Sequence, residues 1–285
     1  MKIWISIGML FVAIAAMAQN KADIIVSYDY KAPRVSGGEY VNKMTLLANS
    51  TESKYFNDIS LWTDSLESTP EGKAEYDEII RANCLVKDAE GYEYWDLTKG
   101  PVKKIYTYVF NNVADESLTH YDEWGDELMY YIEPYTDIQW TLEPDSVLSI
   151  LGYECQMAEA DYHGRHWKAW FTTELPIPFG PWKLRALPGL IMKAEADGGF
   201  AFVATGLQTT DRIISPMYST SEYKKTERKK AQSDHEYFEN NHEAILKAQN
   251  GGMAKITYTD SAGNEIAPPV YDARKHSLEP DYKTK

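Results

Sequence analysis

Polar and apolar positions begin to alternate just after residue 20. Ile24, Val26, Tyr28 and Tyr30 fall on every second position, the period of a strand with one buried face. A second strand is expected from Tyr40 to Ala48. The period then changes: Tyr55, Ile59, Trp62 and Leu66 are spaced 4, 3 and 4, which places them on one face of a helix. Thr69-Pro70-Glu71 reads as an N-cap with Pro at the first helical position, opening a second short helix through Ile79 and Ile80. Residues 53–82 are therefore expected to form a helical insertion packed on a sheet.

From about Gly91 to Thr209 short aromatic and β-branched runs return. They are Glu93 to Leu97, Lys104 to Phe110, Glu127 to Ile132, Ile138 to Leu142, Glu154 to Ala160 and Trp167 to Thr172. Turn residues separate them at Asn111-Asn112, Trp124-Gly125, Glu143-Pro144-Asp145 and His163-Gly164. Leu190 to Ala196 and Phe200 to Ala204 flank Asp197-Gly198-Gly199, a hairpin pattern. Strands joined by short links imply an antiparallel meander. Ser219 and Glu222 form a capping-box pattern and Gly251-Gly252 a stop, so a long charged helix or helix pair is expected near 220–250. Its basic stretch, Lys224 to Lys230, reads as a solvated face or a contact surface. Lys255 to Thr259 suggests a last strand, and the prolines and charges from Ala267 onward a poorly ordered tail over 267–285. The expected fold class is mainly β with peripheral helices: a curved antiparallel sheet or half-barrel over a single domain, 19–266.

The first residues change the picture of where this fold works. Lys2 precedes an almost unbroken apolar run, Ile3 to Ala16, and Ala16-Met17-Ala18 has the small-x-small form of a signal-peptidase site. Residues 1–18 are thus expected to be a signal peptide, with the mature chain starting at Gln19 in the periplasm or outside the cell. The run falls short of the roughly 20 apolar residues that a spanning helix needs. No membrane span is expected in the mature chain. The net charge is −14, or near −15 without Lys2, which argues against nucleic acid as a partner. The only cysteines are Cys84 and Cys155. In an oxidising compartment a structural disulfide is favoured over a catalytic thiol; it would close a loop of about 70 residues, worth about 4 kcal/mol in the loop-entropy account.

Residues 150–196 carry the most distinctive pattern. Ile150-Leu151-Gly152-Tyr153-Glu154-Cys155 is followed by Gly164-Arg165-His166-Trp167-Lys168-Ala169-Trp170-Phe171-Thr172. Then come Glu174-Leu175-Pro176, Phe179-Gly180-Pro181-Trp182-Lys183-Leu184 and Ala186-Leu187-Pro188-Gly189-Leu190-Ile191. This order resembles the GLPGLI family, exported proteins of Gram-negative bacteria, generally of unknown function, named after the last hexamer. The likeness extends upstream through Ser53 to Phe56 and Tyr130 to Trp140. Ala186 stands where the family name has its first Gly, which weakens any role needing a glycine backbone there. A second resemblance, in general pattern, is to the bowl-shaped N-terminal module of some bacterial peptide:N-glycosidases. It implies a curved antiparallel sheet with a concave face.

Pro188-Gly189 suits a type II turn, with Leu187, Leu190 and Ile191 as core anchors, and Gly180-Pro181 supplies a second bend. On one reading the segment is a rigid corner plugging one end of the curved sheet. On the other it lines a pocket, with Trp170, Phe179 and Trp182 as an apolar floor and Arg165 or Arg185 as a polar anchor.

Other chemistry is sparse. His163 and His166 are three apart and, on a strand, face opposite ways. Asp122, Glu123, Asp126 and Glu127 lack calcium-loop spacing and read as solvated turn carboxylates. There is no nucleophile elbow, phosphate loop or dinucleotide fingerprint, and no cofactor is expected. The 21 tyrosines suit either cross-strand packing or a binding surface. The expected function is an exported binding or accessory protein, not an enzyme. It would hold a small hydrophobic or peptide-like ligand, or an envelope protein, on a concave sheet face. An envelope hydrolase using carboxylates or histidines from distant strands is the alternative, and a metal-handling protein using His163, His166 and Met157 a third.

Overall fold

The computed structural model describes residues 20–125, 127–136, 138–218, 222–249, 258–259 and 264–283. The expected signal segment and its cleavage point lie outside these residues. So do Asp126, Ser219 of the capping box, the Gly251-Gly252 stop and Lys255 to 257 of the expected last strand.

The first strands are β1 (Ile24–Pro33), β2 (Glu39–Ala48) and β3 (Glu52–Phe56). Helices α1 (Asp58–Glu67) and α2 (Pro70–Cys84) follow, then a small ribbon of β4 (Leu85–Lys87) and β5 (Glu93–Trp95). The sheet resumes with β6 (Tyr108–Asn112), β7 (Ser117–Trp124), β8 (Glu127–Pro134), β9 (Thr141–Ile150), β10 (Tyr153–Tyr162) and β11 (Arg165–Thr172). It continues through β12 (Leu190–Ala196), β13 (Phe200–Thr209) and β14 (Lys224–Lys225). Last come α3 (Arg228–Gln249), a ribbon of β15 (Tyr258–Thr259) and β16 (Glu265–Ile266), and α4 (Ala273–His276).

The fold is mainly β: one large, curved, unclosed sheet of twelve strands in the order β14-β8-β7-β6-β3-β2-β1-β13-β12-β11-β10-β9. Every pairing is antiparallel except β14 with β8. Two hairpins are closed by pairs of residues with positive φ, Leu151-Gly152 (52° and 88°) and His163-Gly164 (51° and 80°). That is the signature of the type I′ turn, whose twist matches that of the strands. The main core lies on the concave face, where Val26, Tyr28, Leu46, Trp167, Phe171 and Phe202 meet. A second core on the opposite face joins Leu47, Phe56 and Tyr108 to Leu61 of α1. Two faces buried at once explain the unbroken run Met44–Ala48. Among the described residues no helix is long and apolar enough to cross a membrane.

Several sequence expectations are corrected. Tyr55 belongs to β3, not to a helix. Asn57 caps α1 by accepting from the Ser60 amide, and the helix buries small Ser60 and Thr63 while Ile59 stays exposed. Strand β7 is absent from the expected strands, yet it lies third from one end of the sheet with Leu118, His120 and Asp122 buried on one face. Glu143-Pro144-Asp145 is not a turn but a bulge inside β9, opposite the step from Gln156 to Met157. An edge strand tolerates that proline, because its amide faces no ladder partner. The C-terminal segment is folded onto the sheet: Tyr271, Ala273, Ser277 and Glu279 are buried. Finally, the Cys84–Cys155 bridge is not formed. Both thiols are free and buried, Cys84 at the end of α2 and Cys155 in the main core.

Candidate functional site

The segment between β11 and β12 crosses the concave face and fills one half of it. Ile177, Phe179, Trp182, Leu184 and Leu187 are buried there, joined by Leu190 and Ile191 of β12. Backbone bonds staple it: Leu190 N to Leu175 O at 3.0 Å, Ile191 N to Phe179 O at 3.1 Å and Ala186 N to Pro178 O at 3.0 Å. The expected type II turn at Pro188-Gly189 is absent, since Gly189 does not take positive φ. Glycine is needed there because a Cβ would lie 1.9 Å from the Thr172 carbonyl oxygen. The left-handed residues are instead Trp182, at φ 55°, and Ala186, at φ 69°.

The candidate pocket residues do not converge. Arg165 is buried, donating to the carbonyls of Ser277 (2.6 Å), Arg274 (2.9 Å) and Asp197 (3.2 Å), and so straps the C-terminal segment to β11. Arg185 donates to Thr136 O at 3.0 Å and lies over the Tyr135 ring. Phe179 is core, and Trp170 is buried under the Lys193 ammonium. Only Trp182 of that set reaches a cavity.

That cavity, of about 280 Å³, occupies the other half of the concave face. Its floor comes from Tyr30, Tyr55, His120, Asp122 and Phe202 on β1, β3, β7 and β13. Its roof comes from Gln232, His235 and Glu239 of α3 and from residues 276–279. The volume is near the small end of the range for ligand pockets, about 300–1,000 Å³. Tyr30 stacks on Phe202 at 4.8 Å, Tyr40 meets Tyr30 edge-on, and Trp124 stacks on His235 at 3.6 Å. Among the described residues, two polar atoms on this lining are buried without a hydrogen-bond partner, the Tyr55 hydroxyl and His120 Nδ1. Desertion of a buried polar group typically costs about 1–3 kcal/mol, so both atoms favour a bound partner. Burial also pushes the Tyr55 phenol well above its usual range, so it stays protonated. The other His120 nitrogen, Nε2, lies 3.2 Å from Asp122 Oδ2, and Thr107 Oγ1 donates to Asp122 at 3.3 Å. The expected solvated cluster thus breaks up: Asp122 turns inward, Glu123 binds Lys103 at 2.9 Å and Glu127 binds Lys224 at 3.0 Å.

Behind His120 lies a seam of buried charge. The fully buried Lys183 ammonium is 2.5 Å from both Glu133 and Glu279 and donates to the Tyr131 hydroxyl at 3.1 Å. Arg228 binds Asp281 through two bonds of 2.8 Å and Glu279 at 2.9 Å. His163, at the β10–β11 turn, lies 3.2 Å from Glu133 and 3.6 Å from Asp281. Nε2 of His163 makes no aligned hydrogen bond, so its contact with Glu133 is an ion pair only when the ring is protonated. Burial opposes charge on the His163 ring, yet Glu279, Asp281 and Glu133 outweigh it and raise its pKa. Burial likewise opposes ionisation of Glu133, Glu279 and Asp281. The Lys183, His163 and Arg228 cations prevail and hold all three below the usual carboxylate range. Glu133 is on β8 and His163 follows β10, each strand next to last at opposite ends of the sheet. The unclosed sheet is therefore drawn together by ions where a barrel would use backbone hydrogen bonds.

Glu133, His163 and Glu279 have ligand atoms within 4.8 Å of one another, a grouping able to hold a metal. The Lys183 ammonium, however, already stands between the two carboxylates. His166 faces out, 2.9 Å from Asp161, and Met157 packs beside Ser146, so neither joins His163.

Sequence reading missed His120, Glu239 and Glu279, and took Asp122 for a solvated turn carboxylate. His120 and Asp122 carry a usable signal: Leu118, His120 and Asp122 alternate with Thr119 and Tyr121, so they share one strand face. Glu239 and Glu279 arrive from the helix and the C-terminal segment, which no local pattern could pair with β7.

No protein-family model matches the chain, and no curated protein matches it. In fold it is weakly similar to structures of PNGF-II in two space groups, with TM-scores of 0.49 and 0.47 at 13% identity. The superposed regions cover 74% and 75% of this chain but 32% and 33% of those chains. This chain thus spans about a third of their length, and a likeness at that level says nothing of chemistry.

Proposed function

We propose that the protein is an exported, non-enzymatic binding protein whose concave face holds a small amphipathic ligand. The observation that carries this reading is the aromatic cavity with two partnerless buried polar atoms, Tyr55 Oη and His120 Nδ1. Rings offer a large contact area at little entropy cost, and the orphan atoms fix orientation. The apolar body of the ligand would lie against Tyr30, Phe202 and Trp182, with its polar end toward His120. Export to the periplasm or beyond is part of the proposal; the leader-like residues 1–18 and the likeness of residues 150–196 to the GLPGLI family support it.

Native mass spectrometry of protein taken from the cell envelope tests the reading, alongside Gln232→Trp, which fills the cavity from α3. The wild type should carry a small molecule, and the filled variant should fold but lose it. A wild type that is ligand-free, and whose melting is unmoved by small-molecule extract of the envelope, would sink the idea. N-terminal sequencing of the same sample should begin at Gln19.

A further inference from the structure

We propose that the ligand of this cavity is a small protonated amine, bearing N–H donors and carried on an apolar body; this rests on the binding reading above. Three features of the lining agree on the sign and the hydrogen-bonding sense of what fits.

Charge comes first. The ionic residues on the lining are Lys104, Asp122, Glu239 and Glu279. Glu279 is matched by Lys183 and Arg228. Asp122 meets the His120 ring and the Thr107 hydroxyl, and Glu239 meets His235 at 3.5 Å. Among the described residues neither of these two carboxylates pairs with a Lys or Arg, and Lys104 is exposed. The lining is left with surplus negative charge, which a desolvated cation would neutralise and an anion would aggravate.

Hydrogen-bonding sense comes second. An ionised carboxylate only accepts, so the His120 nitrogen facing Asp122 carries a proton. When the ring is neutral the other nitrogen, Nδ1, is an acceptor, and among the described residues it is buried without a hydrogen-bond partner. A neutral apolar ligand leaves it unmet, and a quaternary ammonium has no N–H to give. A primary or secondary ammonium supplies both charge and donor.

The rings come third. Tyr30, Tyr40, Tyr55, Trp124 and Trp182 line the space, and aromatic rings attract cations that approach a free face. The same rings pack against the apolar body.

The test uses the full mature protein, freed of any co-purified molecule, and four probes at pH 7. These are 2-phenylethylamine, its N,N,N-trimethyl derivative, 2-phenylethanol and 3-phenylpropanoate, titrated by calorimetry and by tryptophan fluorescence. The primary amine is expected to bind at least tenfold more tightly than the alcohol or the acid, and more tightly than the trimethyl derivative. Glu239→Gln, on the helix, should weaken the amine severalfold and leave the alcohol unchanged. Asp122→Asn should do the same, with its melting checked because the site is buried. If the alcohol or the acid binds as well as the amine, the amine proposal is overturned while the binding reading stands. Equal amine affinity in Glu239→Gln and wild type overturns it as well. If none of the four binds, the amine proposal fails, and the binding reading then rests on the co-purified molecule alone.

Discussion

Replacing Lys183 by Met removes the cation from the seam while keeping most of its volume. In the wild type, Lys183, Arg228 and, when protonated, His163 face Glu133, Glu279 and Asp281. The variant leaves three carboxylates against Arg228 and His163. Glu133 then keeps His163 and a 3.5 Å approach from Arg228, and Glu279 keeps Arg228 at 2.9 Å and a long bond of 3.4 Å from the Tyr131 hydroxyl. Stripping one partner from a buried ion pair costs about 3–5 kcal/mol, because the remaining charge stays desolvated. Domains are usually stable by only about 5–15 kcal/mol, so the loss is a large fraction. For a chain of this length it corresponds to a melting drop of roughly 6–20 °C.

Urea unfolding at pH 7 and at pH 5, followed by tryptophan fluorescence, measures this loss. Without Lys183 the folded-state pKa values of Glu133 and Glu279 rise, so protonation relieves the variant as pH falls and its deficit should shrink at pH 5. Adding Glu279→Gln to Lys183→Met removes the stranded charge, and the double variant should recover much of the loss, a coupling readable as a double-mutant cycle. A deficit below about 1 kcal/mol at pH 7, or one that grows at pH 5, would refute the account of the seam.

Three further outcomes are expected. Ala186→Gly should stabilise the fold by about 1 kcal/mol, since Ala186 is held at φ 69° and only glycine takes that region without strain; a melting rise of roughly 2–4 °C checks it. His163→Asn, a residue that tolerates the φ of 51° at that turn, should flatten the pH profile above about 6.5. The folded His163 pKa is raised, so its stabilisation is fully present below the unfolded value of 6.5 and lost as pH rises through the folded one. Urea midpoints at pH 6 and 8.5 should therefore differ more in wild type than in the variant. Maleimide should label neither cysteine in the native protein at pH 7 and both after denaturation, because both thiols are buried and free and burial pushes Cys155 up to about 11.

Much of the fold could be read from local pattern, and the failures have physical causes. Leu190–Ala196 and the Thr69 cap of α2 lie where the pattern placed them, because period and capping are properties of neighbours in sequence. Tyr55 fits the helical spacing of 4, 3 and 4, and that spacing cannot show that Asn57 interrupts it with an extended conformation. Pro144 looked like a turn because a proline inside a strand is acceptable only at an edge, and edge position is a tertiary fact. The C-terminal segment looked loose because its polar residues resemble a tail; Glu279 and Asp281 are buried or half-buried only because Lys183 and Arg228, some 100 and 50 positions away, receive them. The motif residues drew attention to the filled half of the concave face, whereas the open half is lined mainly by residues outside that motif.

The seam and the cavity are one mechanical unit. Tyr131 accepts from Lys183 on one side and stacks on the His120 ring, at 4.7 Å, on the other. Glu279 belongs both to the seam and to the cavity roof, and Arg228, which holds it, opens the helix that carries Gln232, His235 and Glu239. An unclosed sheet would ordinarily let its ends splay and its concave face breathe. Here the buried ions fix the separation of the sheet ends and, through Tyr131, the orientation of His120. A ligand then meets a lining whose groups are already ordered, so less of its binding energy goes into ordering side chains. Burying so much charge is a poor way to gain net stability. It is a good way to hold two distant edges and a roof in a single arrangement, since each carboxylate has direction-specific donors that a greasy contact would lack. On that argument the seam exists for the shape of the cavity, and Lys183→Met should blur ligand selectivity at denaturant-free conditions where the protein is still folded. Comparable affinities for the amine and alcohol probes in that variant, against a clear difference in wild type, is the result that this coupling requires.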